Sequence, residues 1–163
     1  MSLVRKLVLT GLCMCVVACA GVAPASTIGE TNKALVRQWI QDVDAAKGAL
    51  TVVDKWMSPD FKLHLNGGAP MDLAAYKSMI GSVMGAFSNM THEIQSMVAE
   101  GDRVFIGMTI RGTHTGEYQG IKATGRQISI VEAINMRFVN GQIAEEWAVV
   151  DLGTLQQQLT APK

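Results

Sequence analysis

The sequence predicts an α+β domain in which a curved antiparallel sheet wraps around N-terminal helices, leaving an apolar pocket between its layers. Three observations predict it. Helical periodicity dominates the first half of the chain and strand alternation the second, so helices and strands are segregated rather than interleaved. Turn signals at Glu100-Gly101-Asp102 and Asn140-Gly141 join the later strands as hairpins. All three cysteines, Cys13, Cys15 and Cys19, lie near the N-terminus, so the domain that follows closes no internal disulfide and depends on its core.

Arg5 and Lys6 precede an apolar run from Leu7 to Val17, too short to span a membrane and suited to the core of a signal peptide. Residues 1–25 are therefore read as a targeting segment and short tether, and 26–163 as one domain. Val16-Val17-Ala18-Cys19 is similar to the lipobox of bacterial lipoproteins, in which the cysteine is lipidated and becomes the first mature residue. Ordinary secretory cleavage after Ala23-Pro24-Ala25 is the competing reading. The expected location is thus the periplasm, the outer membrane through an anchor on Cys19, or the medium.

Thr27 with Glu30 has the spacing of a capping box, and Leu35, Val36, Trp39, Ile40 and Val43 repeat at helical spacing up to Gly48. A short helix from about Leu50 to Met57 ends at Ser58-Pro59, after which Phe61, Leu63 and Leu65 alternate as a strand. Asp72 is placed to cap a third helix that carries Leu73, Tyr76, Ile80, Val83, Met84 and Phe87 on one side and closes at Ser88-Asn89. Gly81 and Gly85 inside it imply close packing, since each costs about 1 kcal/mol against alanine. Four strands follow, Thr91 to Ala99, Arg103 to Thr113, Gln127 to Val139 and Gln142 to Val150, and Leu152 to Leu159 forms a last helical turn or two.

Counting outward from Asn140-Gly141 pairs Val139 with Gln142, Phe138 with Ile143, Met136 with Glu145, Ile134 with Trp147, Glu132 with Val149 and Ile130 with Asp151. That register points Glu132, Trp147 and Asp151 into one apolar concavity. A carboxyl beside an indole and aliphatic side chains has a raised pKa and can exchange protons near neutral pH. Asp151 is on this reading the acid/base of the pocket, with capping of the following turn as the equal alternative. Glu132 either raises the Asp151 pKa by like-charge repulsion or bridges to an arginine. His114, the Trp147 indole N–H and His64 are candidate hydrogen-bond donors in this pocket, against loop organisation for His114 and core filling for Trp147. Ile134 and Val149 complete the expected substrate wall. Val131, Ala133, Ala148 and Val150 fall on the opposite face and suit a sheet-to-sheet dimer.

Asn32-Lys33-Ala34-Leu35-Val36, Pro59-Asp60-Phe61, Tyr76-Lys77, Glu100 to Val104, Gly112 to Glu117, Thr124-Gly125-Arg126 and Glu146-Trp147 through Asp151 occur in an order that resembles the SnoaL-like polyketide cyclases, or ester cyclases. The resemblance implies a nuclear-transport-factor-2-like cone, commonly a homodimer, and an intramolecular aldol closure that uses an aspartate, matched here by Asp151, without metal or organic cofactor. The same fold hosts ketosteroid isomerases and epoxide hydrolases. Lys122-Ala123 and His64-Leu65-Asn66 depart from the family's usual prolines and histidine-proline pattern, which alters the pocket mouth.

Without Arg5 and Lys6 the chain carries 12 basic against 14 acidic residues, a balance that offers nucleic acid no basic face. Three histidines without close ligand spacing predict no metal site, and no phosphate-cradling glycine motif is present. The expected activity is that of a cofactor-free cyclase, isomerase or hydrolase acting on a hydrophobic carbonyl compound. The alternative is a binding module that holds a small hydrophobic ligand in the cell envelope without turnover.

Overall fold

The computed structural model describes residues 28–162; the expected targeting segment, Cys19 and the Thr27 half of the expected capping box lie outside them. The chain runs α1 (Ile28–Ala46), α2 (Thr51–Trp56), β1 (Met57–Leu65), β2 (Met71–Asp72), α3 (Leu73–Ala86), β3 (Phe87–Glu100), β4 (Arg103–His114), β5 (Gln127–Val139), β6 (Gln142–Val150) and α4 (Leu152–Thr160). The strands form one sheet in the order β2-β1-β6-β5-β4-β3. Every neighbouring pair is antiparallel except β1 and β6, because β1 enters the sheet from the helical half and lies parallel to the last strand.

Local chemistry sets these elements. Val36, Trp39 and Ile40 recur at i, i+3 and i+4, and α1 buries them against the sheet. Asp72 caps α3 as expected, its Oδ1 accepting the Ala75 N–H at 2.9 Å. That helix stops at Ala86, earlier than Ser88-Asn89; Asn89 instead adopts φ 52° within β3, where the pairing with β4 is interrupted. On the inner face Val104, Ile106, Met108 and Ile110 of β4 lie beside Ile128, Ile130, Ile134 and Met136 of β5, the alternation of a half-buried sheet.

The expected β5–β6 register does not hold beyond the turn. Asn140 and Gly141 take φ 50° and 79°, and Val139 pairs with Gln142 and Phe138 with Ile143 as the turn dictates. The next pair is Arg137 with Glu145, leaving Ala144 as an extra residue. One inserted residue exchanges the faces of everything that follows. Met136 therefore opposes Glu146, Ile134 opposes Ala148 and Glu132 opposes Val150. Glu146, Ala148 and Val150 turn inward, while Glu145, Trp147 and Val149 turn outward.

Close packing also falls elsewhere than expected. A Cβ on Gly85 would meet nothing within 4 Å, and one on Gly81 only the Leu50 Cδ1 at 3.8 Å. The tight approach comes from the strand side, where a Cβ on Gly116 would lie 2.1 Å from the Gly85 carbonyl oxygen. Ala86 accepts the N–H groups of both Thr115 and Gly116 at 2.9 Å, which presses the two segments together. Gly85→Ala is expected to be neutral or to stabilise by up to about 1 kcal/mol, and Gly116→Ala to destabilise by about 2 kcal/mol or more. Urea unfolding of the two variants measures both.

Candidate functional site

A cavity of about 260 Å³ lies between the inner sheet face and the helices. Trp39 of α1, Tyr76 and Val83 of α3, Met108 of β4 and Ile134 of β5 contribute to a predominantly apolar wall. Two carboxyls interrupt it, Glu132 from β5 and Glu146 from β6. Glu132 opposes Val150 and Glu146 opposes Met136, so they share a face four residues apart in register. Their Cα atoms are therefore about 14 Å apart on a flat sheet, and closer on a curved one.

Their environment disfavours charge. Burial raises the Glu132 pKa to about 7, and burial followed by repulsion from Glu132 raises that of Glu146 to about 8. Glu146 is 2% exposed. Its Oε1 has no hydrogen-bond partner among the described residues, an orphaned acceptor on the wall of a cavity. The Tyr76 phenol is likewise pushed well up, by burial first and by the two glutamates after it. The cavity thus holds proton donors at neutral pH.

The structure separates the residues read from sequence into two groups. Glu132 and Ile134 stand on the cavity wall. His114 ends β4 on the inner face, 0% exposed, with its ring against Phe87 at 5.2 Å. The Thr124 N–H donates to its Nδ1 at 3.3 Å, so in neutral His114 the proton sits on Nε2, which is buried and unpartnered among the described residues. His114 also exchanges backbone hydrogen bonds with Gly125 and Arg126, which ties the loop between β4 and β5 to the strand end.

Asp151, Trp147, His64 and Val149 lie elsewhere. Asp151 is the N-cap of α4, its Oδ1 accepting the Thr154 N–H at 2.9 Å, and hydrogen bonding to the Thr154 side chain and then to that N–H lowers its pKa instead of raising it. It pairs with no Ile130; its own N–H reaches the Val131 carbonyl at 3.1 Å. Trp147 stacks on His64 at 5.1 Å on the outer face, under the Arg103 guanidinium at 4.7 Å. His64 Nε2 bonds Glu145 at 2.9 Å, and Val149 is 64% exposed. The bulge at Ala144 accounts for Trp147 and Val149, since it turns this parity of β6 away from the cavity, while His64 faces outward by alternation with Leu63 on β1.

Two features were missed. Glu146 shares the parity of Ala148 and Val150, which the turn alone places on the outer face, and only the bulge brings it in. His92 of β3 lines the cavity and is bonded to Asp44 of α1, a pair 48 residues apart that leaves no local sequence signal.

A cone of curved sheet closed by helices around a carboxyl-bearing apolar cavity is the nuclear-transport-factor-2-like fold. The SnoaL-like polyketide cyclase family model matches residues 34–159, and the chain belongs to that family. Among solved structures, a proposed SnoaL-like polyketide cyclase from Jannaschia sp. CCS1 superposes with a TM-score of 0.76 at 18% identity, over 87% of this chain and 100% of that one. AclR, a proposed hydroxylase from Streptomyces galilaeus, gives 0.74 at 27% identity over 82% and 98%. IdmH, a proposed polyketide cyclase from Streptomyces antibioticus, gives 0.69 at 26% identity over 78% and 97%. No curated protein matches the chain.

The raised Glu146 pKa has a consequence for stability. In the unfolded chain the group titrates near 4.5, in the folded one near 8, so its contribution is fully present below about 4.5 and is lost as pH rises through about 8. Urea unfolding is expected to show stability falling between pH 5 and pH 8, by an amount on the order of a few kcal/mol. Glu146→Gln should flatten that slope by up to one proton.

Proposed function

We propose that the protein is a cofactor-free acid/base enzyme that enolises a hydrophobic carbonyl compound, the step shared by aldol-type cyclisation and isomerisation. The pair of desolvated carboxyls on one apolar cavity carries this reading. A carboxyl buried for structure is normally paired, because an unpaired one costs stability. Glu146 keeps an orphaned oxygen instead, which a substrate carbonyl or hydroxyl would satisfy.

The chemistry follows from the protonation states. A carboxylic acid that is neutral at pH 7 donates a hydrogen bond, then a proton, to the carbonyl oxygen as the adjacent C–H is broken, and takes the proton back when the product forms. Membership of a family of polyketide cyclases supports this class of reaction. With the targeting segment read as an export signal, the substrate is a free, diffusing compound of the cell envelope rather than a chain still attached to its assembly machinery. Association of two copies through the outer sheet face belongs to the same proposal. Val98, Phe105, Val131 and Val149 are exposed there, with Trp147 and Val149 in the places expected of Ala148 and Val150.

Proton–deuterium exchange at C1 of 2-tetralone in D₂O, followed by NMR, tests the activity without requiring the natural substrate. The protein should accelerate exchange, and Glu132→Gln and Glu146→Gln should each lower the rate about 100-fold or more while 2-naphthol still binds. The rate should fall as pH rises past 7 to 8 and the carboxyls ionise. Tight 2-naphthol binding with no exchange would replace the enzyme by the binding module. Sedimentation equilibrium should give a dimer, returned to monomer by Phe105→Glu.

A further inference from the structure

A protonated carboxyl is an acid, and enolisation also needs a base. Among the described residues one histidine lines the cavity, His92 on β3. Both oxygens of Asp44, near the C-terminal end of α1, hold it: Oδ1 is 2.7 Å from the ring Nδ1 and Oδ2 is 3.4 Å from the His92 backbone N–H. The His92 side chain is 10% exposed and that of Asp44 33%, so the ring is buried while the carboxylate behind it reaches solvent. An ionised Asp44 accepts from Nδ1–H and leaves the lone pair on Nε2, the nitrogen that a general base uses.

The register places this histidine across the cavity from an acid. His92 pairs with Ile110, which pairs with Ile130, and Glu132 lies two residues further along β5 on the same face. The Cα atoms are therefore about 12 Å apart, with β4 between them contributing Met108 and Ile110. The titratable groups that share the cavity with His92 are Glu132 from β5, Glu146 from β6, Tyr76 from α3 and Tyr118, with Asp44 from α1 behind the ring.

We infer that His92 is the catalytic base of this site and Asp44 its positioning residue, acting on a carbonyl compound bound between His92 and Glu132. The inference rests on the proposed enolisation. The C–H bond next to the carbonyl breaks and its proton moves to Nε2, giving an imidazolium beside the Asp44 carboxylate. The bonding pair becomes the C=C of the enol, and the carbonyl oxygen takes the Glu132 proton. When the enol carbon attacks a second carbonyl, or is reprotonated elsewhere, its O–H returns the proton to Glu132 and the imidazolium supplies the other. No co-reactant is required.

The pair also fastens α1 to β3, so the test must separate a base from a strut. Asparagine at position 92 keeps an amide N–H for Asp44 and removes Nε2. Asparagine at position 44 keeps a hydrogen bond but donates to Nδ1, which moves the imidazole proton to Nε2. His92→Asn is expected to lower 2-tetralone exchange about 100-fold or more, with thermal unfolding close to wild type and 2-naphthol affinity within about threefold. Long-range ¹H–¹⁵N spectra should place the wild-type proton on Nδ1 and the Asp44→Asn proton on Nε2, with exchange falling in parallel.

Wild-type exchange in His92→Asn, or a wild-type proton on Nε2, overturns the inference. If His92→Asn stays active while Glu132→Gln is inactive, the base assignment alone fails. If the unmodified protein exchanges nothing, the enzyme reading fails and this inference goes with it.

Discussion

The site depends on a single extra residue. Ala144 shifts the register of β6 against β5 directly after a regular two-residue turn, and the side-chain period of two converts that shift into an exchange of faces. The cavity owes its volume to the exchange. Had the pairing continued unshifted, Trp147 and Val149 would point inward, and an indole would occupy the space beside Ile134 where Ala148 leaves it open. The bulge also brings Glu146 inside, so it creates the space and places an acid in it.

Two carboxyls in an apolar wall run against every local stability preference, and they persist because the rest of the inner face is consistent. Val104, Ile106, Ile143 and Met136 are fully excluded from solvent, and helices α1 and α3 cover them with Val36, Trp39 and Tyr76. The neutral carboxyl is the form the fold tolerates, since burying the charged form would cost far more. Desolvation is thus both the cost of the arrangement and the source of its chemistry. The same burial that makes Glu146 unfavourable for folding keeps its proton available near neutral pH.

Much of the fold was legible because it is written in local patterns. Helical spacing in α1 and α3, the Asp72 cap, the Asn140-Gly141 turn and the alternation of β4 and β5 each involve neighbours in sequence, and each element appears there, with α3 ending two residues early. The site was legible only in part. Strand β6 carries apolar residues at both parities, Ala148 and Val150 on one and Trp147 and Val149 on the other, so alternation could not choose its inward face. Asp151 showed the ambiguity directly: capping and acid/base roles suit the same residue, and only its bond to Thr154 separates them. The His92–Asp44 pair joins a helix to a strand across the first half of the domain, and nothing in either segment alone announces it.

Three carboxyls close together on the chain show what fixes such roles. Glu145 and Glu146 are adjacent, yet on a strand adjacent residues face opposite ways. Glu145, outside, is held ionised by the His64 ring and by Arg137, and its pKa falls. Glu146, inside, meets apolar walls and the charge of Glu132, and its pKa rises. Asp151, just past the strand end, accepts the Thr154 N–H of the next helix and falls again. Residue type is nearly constant across the three, so the side chain's chemistry cannot be assigned before its face is known. On this sheet the face of β6 is decided at Ala144, and the placement of the acid, the indole and the open space follows from it.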